Sequence, residues 1–244
     1  MVCKFDRYAN ILGLILALCG VSTVQGHTEP EIALDVGHGL IDGGARSARG
    51  RSEFAFNLEF AQVLATTLTQ RGFGVRPVNF SGEIRELAER PRVASGSTFF
   101  ISLHHDSISE SYLEPWDWDG LEEHYTRVKY GHGLFVSADN PHPARSQACA
   151  LAMGEALRTA GFVPTPWHGR KHRPLDASRG VWFYDRLVVL YRTTLPAVLF
   201  EAGVIKHREE ELALRDPLRQ QKMAEALVTG LQQCLNFPGK SAPE

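Results

Sequence analysis

Apolar residues along this chain fall alternately into short continuous runs and helical spacings, the pattern of strands and helices taken in turn. Ile32-Ala33-Leu34-Asp35-Val36 reads as a buried strand running into the turn Gly37-His38-Gly39, with Asp42-Gly43-Gly44 following. From Glu53 to Arg71 the apolar Phe54, Leu58, Ala61, Ala65 and Leu68 recur at helical spacing, with Ser52 as N-cap and Gly72 as stop. Val75 to Val78 predicts a second strand, and Ile84 to Arg90 a short helix halted by Pro91. Thr98 to Leu103 predicts a fully buried central strand that ends at His104.

The segment 107–130 breaks this rhythm, with Trp116 and Trp118 set among Glu110, Glu114, Asp117, Asp119, Glu122 and Glu123. It reads as an insertion loop, and the stranded tryptophans favour a lid or cleft wall over an ordinary exposed loop. Order returns with a strand over Gly133 to Ser137, a helix from Ala144 to Gly161, a polar loop through Arg179 and the apolar stretch Leu187 to Leu190. A buried strand, Ala197 to Phe200, then delivers Glu201 to its end, and helices over His207 to Leu214 and Pro217 to Leu235 close the pattern. The alternation predicts a single α/β domain, with residues 237–244 as a frayed tail.

Composition adds two constraints. With 244 residues, 43% hydrophobic and 22% charged, the chain is long enough for one sizeable core. A formal net charge of −2, with scattered Lys and Arg, excludes a global basic field for nucleic acid.

Residues 1–26 differ from the rest. Lys4 and Arg7 precede the apolar run Ile11 to Leu18, and Val24-Gln25-Gly26 offers a cleavage site, so a signal peptide is expected, with the catalytic domain over 27–244. The run is shorter than the ~20 residues of a spanning helix, so no stable membrane insertion is expected after cleavage. Cys19 follows Leu16-Ala17-Leu18 rather than a small residue, which disfavours lipidation. The expected destination is the periplasm, the cell envelope or the medium. There Cys149 and Cys234 form either a bridge or two buried thiols.

The candidate chemistry sits at strand ends, where open α/β sheets bind ligands. His38, His104 and Glu201 all fall there. Two His and a carboxylate with an open fourth position form a hydrolytic zinc set, which the chain offers if Glu53 joins His38 and His104. Glu201 then fits the group that takes a proton from water and returns it to a leaving nitrogen. Each residue has a plainer reading: His38 as a turn residue, Glu53 as a carboxylate favoured by the helix dipole, Glu201 as a surface acid. His104 and His105 compete for one ligand position, since successive strand residues face opposite sides. Asp106 either orients an imidazole or caps the following turn, and Asp35 needs a partner inside its buried strand. The remaining histidines, His168 and His172 among them, read as non-ligands in polar loops or helix starts.

Four blocks in order carry a family resemblance: Ile32 to Gly39 with Asp42-Gly43-Gly44-Ala45, Glu53 with Asn57-Leu58, Phe100 to His104, and Pro196 to Gly203. Together they resemble the zinc-dependent N-acetylmuramoyl-L-alanine amidases of the AmiA/AmiB/AmiC class, amidase family 3. The resemblance implies a mixed, mostly parallel sheet flanked by helices on both faces. It also implies one zinc ion held by His38, Glu53 and His104, with Glu201 as the catalytic carboxylate. It favours His104 over His105. The bond cut would be the lactyl-to-L-alanine amide of peptidoglycan or muropeptides, with a protein activator as a further partner. The chain departs from the family's pattern at Asp35-Val36, where Asp-Pro is common, and near Pro77-Val78, where a Thr-Arg pair is missing. A zinc peptidase cutting within the stem peptide and a non-catalytic wall-binding module are the competing readings.

Overall fold

In the computed structural model, which describes residues 29–237, the first apolar run becomes the strand β1 (Glu31–Val36). The expected leader and its cysteines, His27 and the tail from residue 238 lie outside the described residues. After β1 come α1 (Glu53–Gln70), β2 (Gly74–Val78), α2 (Glu89–Val93), β3 (Phe99–Asp106), β4 (Glu114–Trp118), β5 (Leu121–Tyr125) and β6 (Gly133–Val136). The second half adds α3 (Pro143–Thr159), β7 (Pro174–Asp176), β8 (Val181–Phe183), α4 (Val188–Tyr191), β9 (Ala197–Val204), α5 (Glu210–Leu214) and α6 (Pro217–Leu235).

Seven strands form one sheet in the order β2-β1-β3-β9-β6-β8-β7. β2, β1, β3 and β9 are mutually parallel, whereas β6 runs antiparallel to β9 and β7 antiparallel to β8. Alternate residues of β1 and β3 feed opposite faces, as the pleat requires. Ile32, Leu34, Phe99, Ile101 and Leu103 pack with Phe56, Phe60 and Leu64 of α1, Met153 of α3 and Leu227 of α6. Ala33, Phe100, Phe135, Trp182 and Leu199 pack on the other face with Ala94, Val189 and Leu190, at α2 and α4. The domain is thus a mostly parallel mixed sheet with helices on both faces. Among the described residues no helix is long and apolar enough to cross a membrane.

Three local expectations are corrected. The short helix does not end at Pro91 but contains it, because Pro91 falls in the first turn of α2, where its missing N–H is not needed. The segment 107–130 is not one irregular loop: β4 and β5 pair antiparallel around Asp119-Gly120, both with positive φ, the conformation of a tight hairpin turn. Trp116 donates from its indole to the Ala48 carbonyl at 2.9 Å and stacks on Trp118, with Arg49 over both rings. The third is Phe237, assigned by sequence to the tail, which packs on Phe73 with ring centroids 4.8 Å apart.

Cys149 of α3 and Cys234 of α6 are joined by a disulfide across 85 residues of chain. The two helices approach closely: a Cβ on Gly230 would sit 2.5 Å from the Met153 backbone. Closing a loop of that length removes chain entropy from the unfolded state, on the order of 4 kcal/mol in the chain-entropy description. Reduction, or Cys234→Ser, is expected to lower stability by about 3–5 kcal/mol, read from urea unfolding with and without reductant.

Candidate metal centre and catalytic cleft

At the carboxyl edge of the sheet, His38, Glu53 and His104 offer two imidazole nitrogens and a carboxylate oxygen, all within 4.8 Å of one another. His38 Nε2 lies 3.1 Å from Glu53 Oε1, and His104 Nδ1 lies 3.0 Å from the same oxygen. This donor set is what a zinc ion prefers, and the spacing suits three ligands around one centre. Burial would raise the Glu53 pKa, but hydrogen bonds and charge from His104 and His38 more than offset it and hold the carboxyl well below its usual range. Burial works against protonated His38, yet the hydrogen bond and charge of Glu53 leave its pKa raised.

Each side chain is placed by main-chain chemistry. Glu53 opens α1, and the amide of Ala45 donates to its Oε2 at 3.2 Å. His104 lies over Gly37, where a Cβ would come within 2.3 Å of the imidazole, so glycine is required for that close approach. His105 faces the other side of the sheet, buried against Phe56 and Phe60, with Nδ1 2.8 Å from the Asn57 amide oxygen. Burial lowers its pKa to about 3, keeping it neutral. Asn57 in turn donates to the Gly37 carbonyl at 3.1 Å.

His38 adopts φ 62, an uncommon conformation for a residue with a side chain. Asn79 donates to the carbonyls of Val36 and His38 at 2.8 and 2.6 Å. Arg90 donates to the Val36 carbonyl at 2.6 Å, to the His38 carbonyl, and to Asp35 Oδ1 at 3.2 Å. Ser102 donates to the other Asp35 oxygen at 2.7 Å. Burial raises the Asp35 pKa, opposed by Arg90 and Ser102. The partner of Asp35 is therefore Arg90, and the pair holds the turn that carries His38.

Glu201 lies beside the triad. β3 and β9 pair in parallel with His104 opposite Glu201, so both side chains leave the same face. A register shift just beyond, between His104 and Asp106, re-aims the strand ends. On the other flank Glu201 pairs with Gly133, and the space a Cβ would fill there is occupied by the His168 ring at 2.5 Å. Burial raises the Glu201 pKa well above the ordinary value, and the charges of Asp106 and Glu53 push the same way. Its Oε2 has no hydrogen-bond partner among the described residues. Asp106 pairs with Lys129 at 2.5 Å and lies 3.4 Å from His168 Nε2.

A sequence profile of the family described as N-acetylmuramoyl-L-alanine amidase matches residues 32–233. The chain belongs to that amidase family. A Staphylococcus aureus relative described as "Probable cell wall amidase LytH" is 26% identical over 211 residues, 86% of this chain and 58% of the relative. The chain spans 57–58% of the length of such curated relatives. Among solved structures, an N-acetylmuramoyl-L-alanine amidase from Clostridium difficile 630 shares the fold with a TM-score of 0.67 at 21% identity, covering 85% of this chain and 97% of that one. The CwlD amidase of Clostridioides difficile, determined in complex with the GerS lipoprotein, has a TM-score of 0.64 at 22% identity, covering 85% and 99%.

In this amidase-family chain the cleft runs past both halves of the site. A cavity of about 360 Å³ borders His38 and His104, and another of about 400 Å³ borders Glu201. Ser107, Tyr112 and Lys129, from the two ends of the segment 107–130, wall the second cavity, while the β4–β5 hairpin between them does not line it. Sequence reasoning missed Arg90, Asn79 and His168. Their partners are distant in the chain.

Arg90→Ala leaves Asp35 buried without its counter-charge and is expected to cost about 3–5 kcal/mol, with Asp35→Asn in the same background recovering part of it by urea titration. His132, buried beside β9, has its pKa lowered to about 4, chiefly by burial. A depressed folded pKa contributes stability that is present above the unfolded value of about 6.5 and lost as pH falls through 4. That loss is expected to be on the order of 3 kcal/mol, and His132→Gln should flatten the pH dependence of the melting temperature across this window.

Proposed function

We propose that the protein hydrolyses the amide between the lactyl group of N-acetylmuramic acid and L-alanine of peptidoglycan, with one zinc ion held by His38, Glu53 and His104. The observation that carries this reading is the convergence of those donors beside the buried carboxyl of Glu201, in a chain of the amidase family. When bound, zinc supplies a Lewis acid that polarises a carbonyl and acidifies water. Glu201 takes the proton of the attacking water and returns it to the departing L-alanine nitrogen, because an amine anion is too poor a leaving group to depart unprotonated. Burial and the charges of Asp106 and Glu53 raise its pKa above the ordinary carboxylate value, the direction that makes it a stronger proton acceptor.

We place this activity in the cell envelope, where a disulfide such as Cys149–Cys234 persists. The residue 1–26 signal peptide supplies the export route in this reading. A protein activator belongs to it as well, supported by the lipoprotein complex of the CwlD relative.

The deciding experiment is mass spectrometry of muropeptides after incubation with purified peptidoglycan, with and without a chelator. Chelator-sensitive release of intact stem peptides with free L-alanine amino termini is expected. Cleavage inside the stem would replace the reading with a zinc peptidase, and absence of product on sacculi and on fragments would favour a wall-binding module. Glu201→Ala should lower kcat by at least about 100-fold while zinc content per chain stays that of the wild type, measured by elemental analysis.

A further inference from the structure

The two cavities along the cleft are chemically unlike. The one bordering His38 and His104 is lined mainly by apolar groups, Ile84, Leu87, Val188 and Val189 among them, with Asp42, Arg85 and Arg90 also on its wall. The one bordering Glu201 carries Lys129, Arg170 and Lys171. Leu187 and Leu199 line both, so the lobes meet at the sheet edge between the triad and Glu201.

The cationic lobe is built rather than incidental. Thr165 caps the turn Pro166–Arg170 through the Trp167 amide, and the Trp167 indole donates to the Val128 carbonyl at 2.8 Å. The Arg170 guanidinium lies 3.9 Å above the Trp167 ring and donates to the Tyr112 hydroxyl at 3.3 Å. Lys129 is engaged by Asp106, whereas Arg170 and Lys171 have no ion-pair partner among the described residues. A stacked guanidinium keeps its edge donors in a fixed plane, the arrangement that recognises a carboxylate.

We infer that the lobe formed by Arg170, Lys171 and Trp167 is a subsite for a peptide bearing free carboxylates, lying on the leaving-group side of the scissile amide. The orientation rests on the amidase reading: Glu201 must stand beside the nitrogen that departs, and Glu201 borders this lobe. The chain attached to that nitrogen then runs along Arg170 and Lys171. The acyl and sugar side, which carries no charge at this point, lies over the apolar lobe. A stem peptide with ionised carboxylates is selected over one whose carboxylates are amidated.

The test is isothermal titration of the zinc-loaded protein with an L-alanyl-γ-D-glutamyl tripeptide, carboxylates free, and with its fully amidated counterpart. Wild-type protein is expected to bind the free form at least about 10-fold tighter. The double variant Arg170→Gln, Lys171→Gln, whose changes lie on exposed side chains, should lose that preference at an unchanged melting temperature, and Arg170→Lys should restore only part of it. Equal binding of both peptides by wild type, or a preference that survives in the double variant, overturns the subsite. Hydrolysis is scored separately. Carboxylate-selective binding without amide cleavage sustains the subsite and removes the amidase reading, and amide cleavage without selectivity does the reverse.

Discussion

Parallel pairing of β1, β3 and β9 is the constraint on which the rest of the site depends. Parallel strands end together, so whatever follows each strand is delivered to the same edge of the sheet. Here His38 follows β1, while His104 and Glu201 lie within β3 and β9 toward their carboxyl ends, and the register sets His104 directly opposite Glu201. A slip of one residue in β3 would turn His104 toward α1 and bring His105 out, exchanging a ligand candidate for a residue held by Asn57. The apolar residues of β3 prevent that slip, because Ile101 and Leu103 are committed to the α1 face and Phe100 to the other.

The second constraint is the turn after β1. A residue with a side chain at φ 62 keeps that conformation only where its surroundings over-determine it. Asn79 and Arg90 do this by binding two alternate carbonyls, those of Val36 and His38. Arg90 can be buried only because Asp35, itself held by Ser102, meets it inside the sheet. The acid next to the end of β1 thus acts through backbone geometry: it keeps a cation in the interior, and the cation keeps His38 aimed at Glu53 and His104.

Much of this arrangement was legible in the chain and some was not, for definite reasons. His104 and Glu201 stand out because each interrupts a continuous apolar run at its end, and Glu53 because it opens a helical spacing after a Gly-rich turn. Periodicity reports strand ends and helix starts well. It says nothing of Arg90 or Asn79, which work through carbonyls 41 to 54 residues away and lie in segments without a strong pattern. His168 was hidden in a polar loop, and the glycine that makes room for it, Gly133, reads locally as nothing more than a strand start. The β4–β5 hairpin did carry its signal, Asp119-Gly120, but the acidic residues around it masked the alternation of Trp116 and Trp118. β8 is too short, at three residues, to register as a periodic run.

Folded chains leave few buried polar atoms without partners, and where such atoms gather is informative. Among the described residues Glu201 Oε2 has no hydrogen-bond partner, and it lines the same cavity as His168 and the Asp106–Lys129 ion pair. His132, unpartnered at both ring nitrogens, immediately precedes Gly133 on the same flank of β9. Satisfying these groups internally would stabilise the domain, since each carries a desolvation cost of about 1–3 kcal/mol. Leaving them open is what a cleft needs if it is to exchange protons and hydrogen bonds with something that enters it. The cavity by His38 is bordered by one such atom, Arg90 Nε, whereas on the Glu201 side the open atom is a carboxylate oxygen, which calls for a donor. That is the side on which a leaving nitrogen and the peptide behind it would have to be received.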